Sequence, residues 1–301
     1  MKFLQSGKVK DVYEVNDSEL EFVFSDRISV FDKVIPSEIP FKGETLARTA
    51  AHWFQLCKDL GIKTHYVRLI GPNCMRVSRV RVIHDPDCLK KERGNYLIPL
   101  ECITRYYLYG SLWDRVAEGE IEAMALSFPK NHKAVQGERL PHPFFEVTTK
   151  LEKVDRNITE LEALRISGLT EAEFDEMKDM ALRIDAEMDC QLVPRGLIHV
   201  DGKKEFAFDK DRNIMIVDTF GTADEDRFWD AAELRQGRFV ERSKEFVRQY
   251  YRRTGYHDRL MRARREGREE PPIPPLPPEM LETVSNVYIR LFDDLTGERF
   301  R

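Results

Sequence analysis

Between Leu197 and Phe220 three short apolar runs, LIHVD, EFAFD and IMIVDTF, are separated by the polar tetrapeptides DGKK and KDRN. They predict strands joined by tight turns, with carboxylates close to the strand ends. A second hairpin is predicted at residues 9–24, where VKDVYEV and LEFVF flank NDSE. Helical spacing enters at Glu44 to Leu60, through Leu46, Ala50, Trp53, Cys57 and Leu60, with Gly61 placed to stop the helix. Another helix begins near Thr170, whose hydroxyl and Glu173 form a capping-box pattern ahead of Phe174, Met177, Ala181, Ile184 and Met188. Strands dominate early, elements mix in the middle and helices close the chain. That order predicts an α+β fold of two lobes rather than a doubly wound parallel sheet. The division expected is 1–100, 101–270 and 271–301, the last piece holding PPIPPLPP and a helix through Met280, Val284, Tyr288, Leu291 and Leu295.

Composition narrows the partners. Of 301 residues, 42% are hydrophobic and 34% charged, which suits a globular chain rather than a disordered one. Lys plus Arg number 48 against 53 Asp plus Glu, and a net charge of -5 offers no global attraction to nucleic acid or to a membrane surface. MKFLQSGKVKDVYEV has no signal-like apolar stretch and no run reaches membrane-spanning length, so the expected location is cytoplasmic. The five cysteines (Cys57, Cys74, Cys88, Cys102, Cys190) form no C-x-x-C pair, which points to buried free thiols. The seven histidines lack metal-ligand spacing.

Several segments are polar in unusual company. Gly7-Lys8-Val9-Lys10 can surround a polyphosphate with amides and ammonium groups, or be a surface turn with two solvated lysines. Glu205 and Asp218 fall on neighbouring predicted strands. Hard oxygens so placed suit Mg²⁺ on nucleotide phosphates, or they are carboxylates on an exposed face. Asp224-Glu225-Asp226-Arg227 precedes two aromatics, where an arginine can grip a phosphate or carboxylate, or simply cap a turn. Ser25 to Asp32 reads as a polar loop breaking out of a strand. Glu101 to Arg105 runs through aromatics into Tyr109-Gly110-Ser111, and either segment can serve a substrate. The charged stretch RLMRARREGREE, acids among its arginines, reads as a solvated helix face.

Taken in order, GKVKDVYEV, SDRISVFDKVIPSEIPFKGETL, IPLECITRYYLYGSLW, FFEVTTKLEKVDRNI, LIHVDGKKEFAF, IVDTFGTADEDRFWD and LPPEMLETVSNVY resemble the SAICAR synthetase (phosphoribosylaminoimidazole-succinocarboxamide synthase) family over nearly the whole chain. The resemblance implies a kinase-like pair of lobes with ATP between them. It implies ligation of carboxyaminoimidazole ribotide (CAIR) to L-aspartate, with ATP and Mg²⁺ as cofactors, and leaves room for a homo-oligomer. Carried over by position, Gly7, Lys8, Lys10 and Lys150 would bind ATP and Glu101 would face the adenine, while Glu205 and Asp218 would hold the metal. Asp32, Arg105, Ser111, Asp201, Lys203, Asp224 and Arg227 would bind the ribotide or its reacting carboxylate, Lys203 and Arg227 being the catalytic pair. The chain departs from the family pattern at Val147, Val154, Gly202 and Ala207, and RLMRARREGREE has no counterpart with a role. A small-molecule kinase, or a regulatory module that holds ATP without turnover, would share the glycine-lysine loop and the two carboxylates.

Overall fold

The computed structural model describes residues 1–89, 94–152, 154–242 and 244–301. The chain opens with β1 (Lys2–Ser6), β2 (Lys10–Glu14) and β3 (Glu19–Phe24), followed by the short pair β4 (Arg27–Val30) and β5 (Lys33–Glu38). Helix α1 (Lys42–Asp59) leads to β6 (Tyr66–Gly71) and β7 (Cys74–Ser78). These build an antiparallel sheet ordered β1-β2-β3-β7-β6, with β4 and β5 as a separate ribbon. Half of Ser25 to Asp32 is therefore strand and not loop: Ile28, Ser29 and Val30 of β4 are buried, and Phe31 and Asp32 form the turn that follows, with Asp32 exposed.

The second sheet begins with β8 (Tyr96–Tyr107), so the change of sheet comes before residue 100. After α2 (Ser111–Ala117) come β9 (Arg139–Thr149), β10 (Asn157–Ile158), α3 (Glu160–Ser167) and α4 (Glu171–Leu192). Thr170 and Glu173 close the expected capping box on α4, each side chain bonding the other's backbone amide. Strands β11 (Leu197–Phe208), β12 (Ile214–Val217) and β13 (Arg227–Asp230) complete a sheet ordered β10-β9-β8-β11-β12, with β13 also on β11. All its named pairings are antiparallel.

The expected turn at DGKK does not exist: β11 runs straight through it. Lys204 looks like a turn residue in sequence, yet its side chain is 1% exposed and its ammonium bonds the buried Asp185 of α4. Alternation then puts Phe206 and Phe208 on the core side with Lys204, and leaves Lys203, Glu205 and Ala207 on the opposite face. KDRN is a turn as expected, held by Asp209 accepting from the amides of Asp211 and Asn213.

Helices α5 (Ala231–Leu234), α6 (Glu245–Arg253), α7 (Tyr256–Arg265) and α8 (Pro278–Thr296) follow. The proline-rich connector is docked rather than free, since Tyr251 and Tyr256 donate to the carbonyls of Pro274 and Pro271. Helix α8 packs on α1, and one hydrophobic cluster runs from Phe22 and Phe24 through Trp53, Phe54, Met188 and Phe206 to Tyr288 and Leu291. Burying each such aromatic contributes about 1.5–3 kcal/mol, so the sheets and helices share a core. The cysteines divide: Cys57 and Cys102 are buried, but Cys88 and Cys190 are exposed, against the expectation of buried thiols throughout. Among the described residues no helix is long and apolar enough to cross a membrane.

Candidate active site

Strand β11 organises the site because one face of it carries a charged side chain at every second residue from Asp201 to Glu205. Asp201 pairs with Arg105 of β8, Lys203 with Ile103 and Glu205 with Glu101, while Glu205 also faces Val217, the residue before Asp218. Lys203 Nζ donates to Glu101 at 2.9 Å and to Glu205 at 3.2 Å, and lies 3.2 Å from Glu225. Lys150, just past β9, reaches Glu205 at 2.6 Å and Glu101 at 3.7 Å. From the other sheet Lys10 closes an ion pair with Asp218, so the two sheets meet through this cluster.

Burial alone would discharge these groups, and at Lys203 and Asp218 the neighbours reverse it. Desolvation pulls the Lys203 ammonium down, but Glu225, Glu205 and Glu101 hold it well above the usual lysine value. Desolvation likewise raises Asp218, yet Lys10, Lys150 and Lys203 keep its carboxyl below the ordinary range. Glu101 is raised by burial, with Lys203 opposing. Asp218 also has a left-handed backbone, φ 60°, a strained conformation of the kind found where function fixes geometry.

Beyond Lys203 the site changes character. Arg105 is 5% exposed and is held by Glu146 at 2.7 Å, Ser111 at 3.1 Å and Asp201 at 3.6 Å. Arg227 donates to Asp201 at 2.7 Å. It passes so close to Gly110, φ 61°, that a Cβ there would lie 2.3 Å from Nη1, so a larger residue would displace the guanidinium. Asp32, Ser111 and Arg227 line one cavity of about 520 Å³, joined by Tyr109, Arg248, Arg252 and His257. Lys8 pairs with Asp32 at 2.6 Å. Gly7 donates its amide to Lys10 O at 2.8 Å, closing the glycine-lysine turn. At the opposite end of β11, Ala207 joins Leu97, Met215 and Val217 in a small apolar wall, with Val80 and Leu151 packed against it.

One sequence-based placement changes. Asp224 presents no free oxygen to the cavity: its side chain is 2% exposed, paired with Lys42 at 2.7 Å and bonded by Tyr288 at 2.6 Å. Glu101 stands among Lys203, Lys150 and Glu205. Sequence reading also missed participants. Asp155 feels the charges of Lys150, Lys203, Asp32 and Lys8, although burial raises it foremost, and its signal was the segment DRNI. Glu225 stood in the noted acidic run, whereas Arg248, Arg252 and His257 gave no local signal. Gly202 is required because a Cβ would lie 2.3 Å from Asp226 and 2.8 Å from His199. A larger cavity of about 630 Å³ opens among Lys58, Lys63, Arg79 and Lys210 and contains none of the converging carboxylates.

The donor set suits a hard divalent cation held together with phosphates. Among the described residues no three His, Cys, Asp or Glu could hold a metal by themselves, but Mg²⁺ commonly takes one or two carboxylates and completes its shell with phosphate and water.

Comparison with known proteins shows the family and the fold. The SAICAR synthetase family model matches residues 3–263. The phosphoribosylaminoimidazole-succinocarboxamide synthase of Thermoplasma volcanium is 51% identical over 300 residues, covering 100% of both chains. Among solved structures, SAICAR synthase from Saccharomyces cerevisiae complexed with SAICAR superposes with a TM-score of 0.75 at 23% identity, covering 99% of this chain and 95% of that one. A SAICAR synthetase in complex with ADP gives 0.70 at 23% identity, with 100% of each chain covered. A family model spanning residues 3–263 and a full-length relative at 51% identity, in a chain with this fold, assign it to the SAICAR synthetase family.

Proposed function

We propose that the chain uses ATP to join the carboxylate of CAIR to the amine of L-aspartate, releasing SAICAR, ADP and phosphate in de novo purine biosynthesis. The observation that carries this reading is the order of side chains along β11: Ala207 in an apolar wall, then Glu205, Lys203 and Asp201. The six residue-to-residue steps from Asp201 to Ala207 span about 20 Å, enough to seat a nucleotide and a ribotide end to end. On this reading the apolar wall takes the adenine, and Gly7, Lys8, Lys10 and Lys150 serve the phosphates. Glu205 and Asp218 hold Mg²⁺, with Glu101 beside them, and Asp32, Arg105, Ser111, Asp201 and Arg227 receive the ribotide. The complexes of two fold relatives, one with ADP and one with SAICAR, support both halves of the site.

A carboxylate does not form an amide directly, because oxide is too poor a leaving group. The ribotide carboxylate attacks the γ-phosphorus of ATP, ADP departs and an acyl phosphate forms. The amine of aspartate then adds to the acyl carbon and inorganic phosphate leaves. Bound Mg²⁺ would supply charge neutralisation on phosphate oxygens. Lys203, cationic and half-buried between three carboxylates, orients the reacting carboxylate, and Arg227 fixes the ribotide from the far side. No side-chain nucleophile is required.

The test is an omission series: purified protein with ATP, Mg²⁺, L-aspartate and CAIR, following ADP and amide together. Product that requires all four components supports the reading. ADP formed at full rate without CAIR or aspartate refutes it.

A further inference from the structure

Phe31 and Asp32 constitute the whole turn between β4 and β5, since Val30 pairs with Lys33. Both have positive φ, 50° and 64°. Two-residue turns of this kind favour Asn and Gly, and a phenylalanine in the left-handed region is strained. Such a conformation persists only where surrounding structure imposes it.

The surrounding structure is the charged segment that sequence reading took for a solvated helix face. Arg264 of α7 donates from Nη2 to Phe31 O at 2.8 Å, and its Nε bonds Glu270 at 2.9 Å. Glu270 in turn pairs with Lys33, on the other side of the turn, at 2.7 Å. The Phe31 ring lies 4.6 Å from the imidazole of His257, between centroids, and Arg252 sits over it at 5.9 Å. A carbonyl, a ring and the residue after the turn are thus gripped from one direction.

We propose that α7 and Glu270 form a brace that holds the Phe31–Asp32 turn in its left-handed conformation and thereby aims Asp32 at the ribotide cavity, with Arg264 as the positioning residue. The proposal rests on the reading of Asp32 as a ribotide ligand. Arg264 touches no reacting atom on this account. It acts through the backbone of Phe31, so its loss should be felt by the ribotide and not by ATP or aspartate.

The experiment measures KM for CAIR, ATP and aspartate in the full chain carrying Arg264→Ala, Glu270→Gln, Asp32→Ala or Arg264→Ala with Phe31→Asn. Arg264→Ala is expected to raise the CAIR KM about tenfold with the other two constants unchanged. Glu270→Gln should shift it in the same direction and lies outside α7, so it tests the brace even if Arg264→Ala fails to fold. Asn enters the left-handed region readily, so Phe31→Asn should restore most of what Arg264→Ala loses, which a general packing defect would not permit. An unchanged CAIR KM in Arg264→Ala and Glu270→Gln, alongside a raised one in Asp32→Ala, overturns the brace alone. Equal losses for all three substrates without rescue also overturn it. A silent Asp32→Ala overturns the reading of Asp32 itself, and the brace with it.

Discussion

Lys42 Nζ lies 2.7 Å from Oδ2 of Asp224, and neither side chain reaches solvent. Lys42 occupies the first position of α1, where the helix dipole disfavours a cation, and Asp224 compensates. Tyr288 of α8 donates to the other oxygen of Asp224, so α1, α8 and the segment from Asp218 to Arg227 are tied at one point. Removing either charge strands the other. Asp224→Ala should therefore destabilise the fold by roughly 3–5 kcal/mol in denaturant melts, and Asp224→Leu with Lys42→Met by less than the sum of the single changes. Additive losses would show that the two residues are not coupled.

Acid stability follows from His65, whose ring is buried between Phe22 and Phe54. Burial lowers it from its usual 6.5 to about 4, against the pull of Asp218. The unfolded chain takes up the proton first, so the stability from keeping His65 neutral is complete above pH 6.5 and is lost as pH falls towards 4. The loss amounts to about 3 kcal/mol. His199 works in the opposite sense, since Asp226 and Asp185 outweigh burial and raise it. The readout is therefore the difference between wild type and His65→Phe. The gap in unfolding free energy should shift across this window, and a constant gap would contradict the assignment.

Asp218→Asn should keep the fold, because asparagine tolerates the left-handed backbone at this position and the side chain is of similar size. Its activity should fall by at least ~10²-fold, since a charge facing Lys10 and the proposed metal is gone. Near-normal turnover at low magnesium by a folded variant would remove Asp218 from the site.

Gly110→Ala places a methyl against the Arg227 guanidinium. The arginine can shift, so the fold should survive with a cost of about 1 kcal/mol for the positive φ. The CAIR KM should rise with that for ATP unchanged. If the ATP requirement rose instead, the division of β11 into nucleotide and ribotide ends would be wrong.

The elements legible in the sequence were those whose signals are local. The capping box at Thr170, the periodicity of α1 and the hairpin over residues 9–24 each need only their own residues. DGKK misled because polarity stood for a turn, whereas Lys204 is neutralised by Asp185, nineteen positions away. Asp224 misled for the same reason, its partner Lys42 being 182 positions away. Arg248, Arg252 and His257 reach the cavity only through the packing of α6 and α7, which no spacing rule encodes.

The proposed mechanism phosphorylates the ribotide carboxylate before aspartate attacks. Its most direct test places heavy oxygen in the carboxylate of CAIR and follows the label during turnover with ATP, Mg²⁺ and L-aspartate. The carboxylate oxygen that attacks phosphorus becomes the bridging atom of the acyl phosphate and departs with inorganic phosphate. One labelled oxygen should appear in phosphate for each amide formed. Unlabelled phosphate accumulating alongside SAICAR would contradict the acyl phosphate and the role given to Lys203.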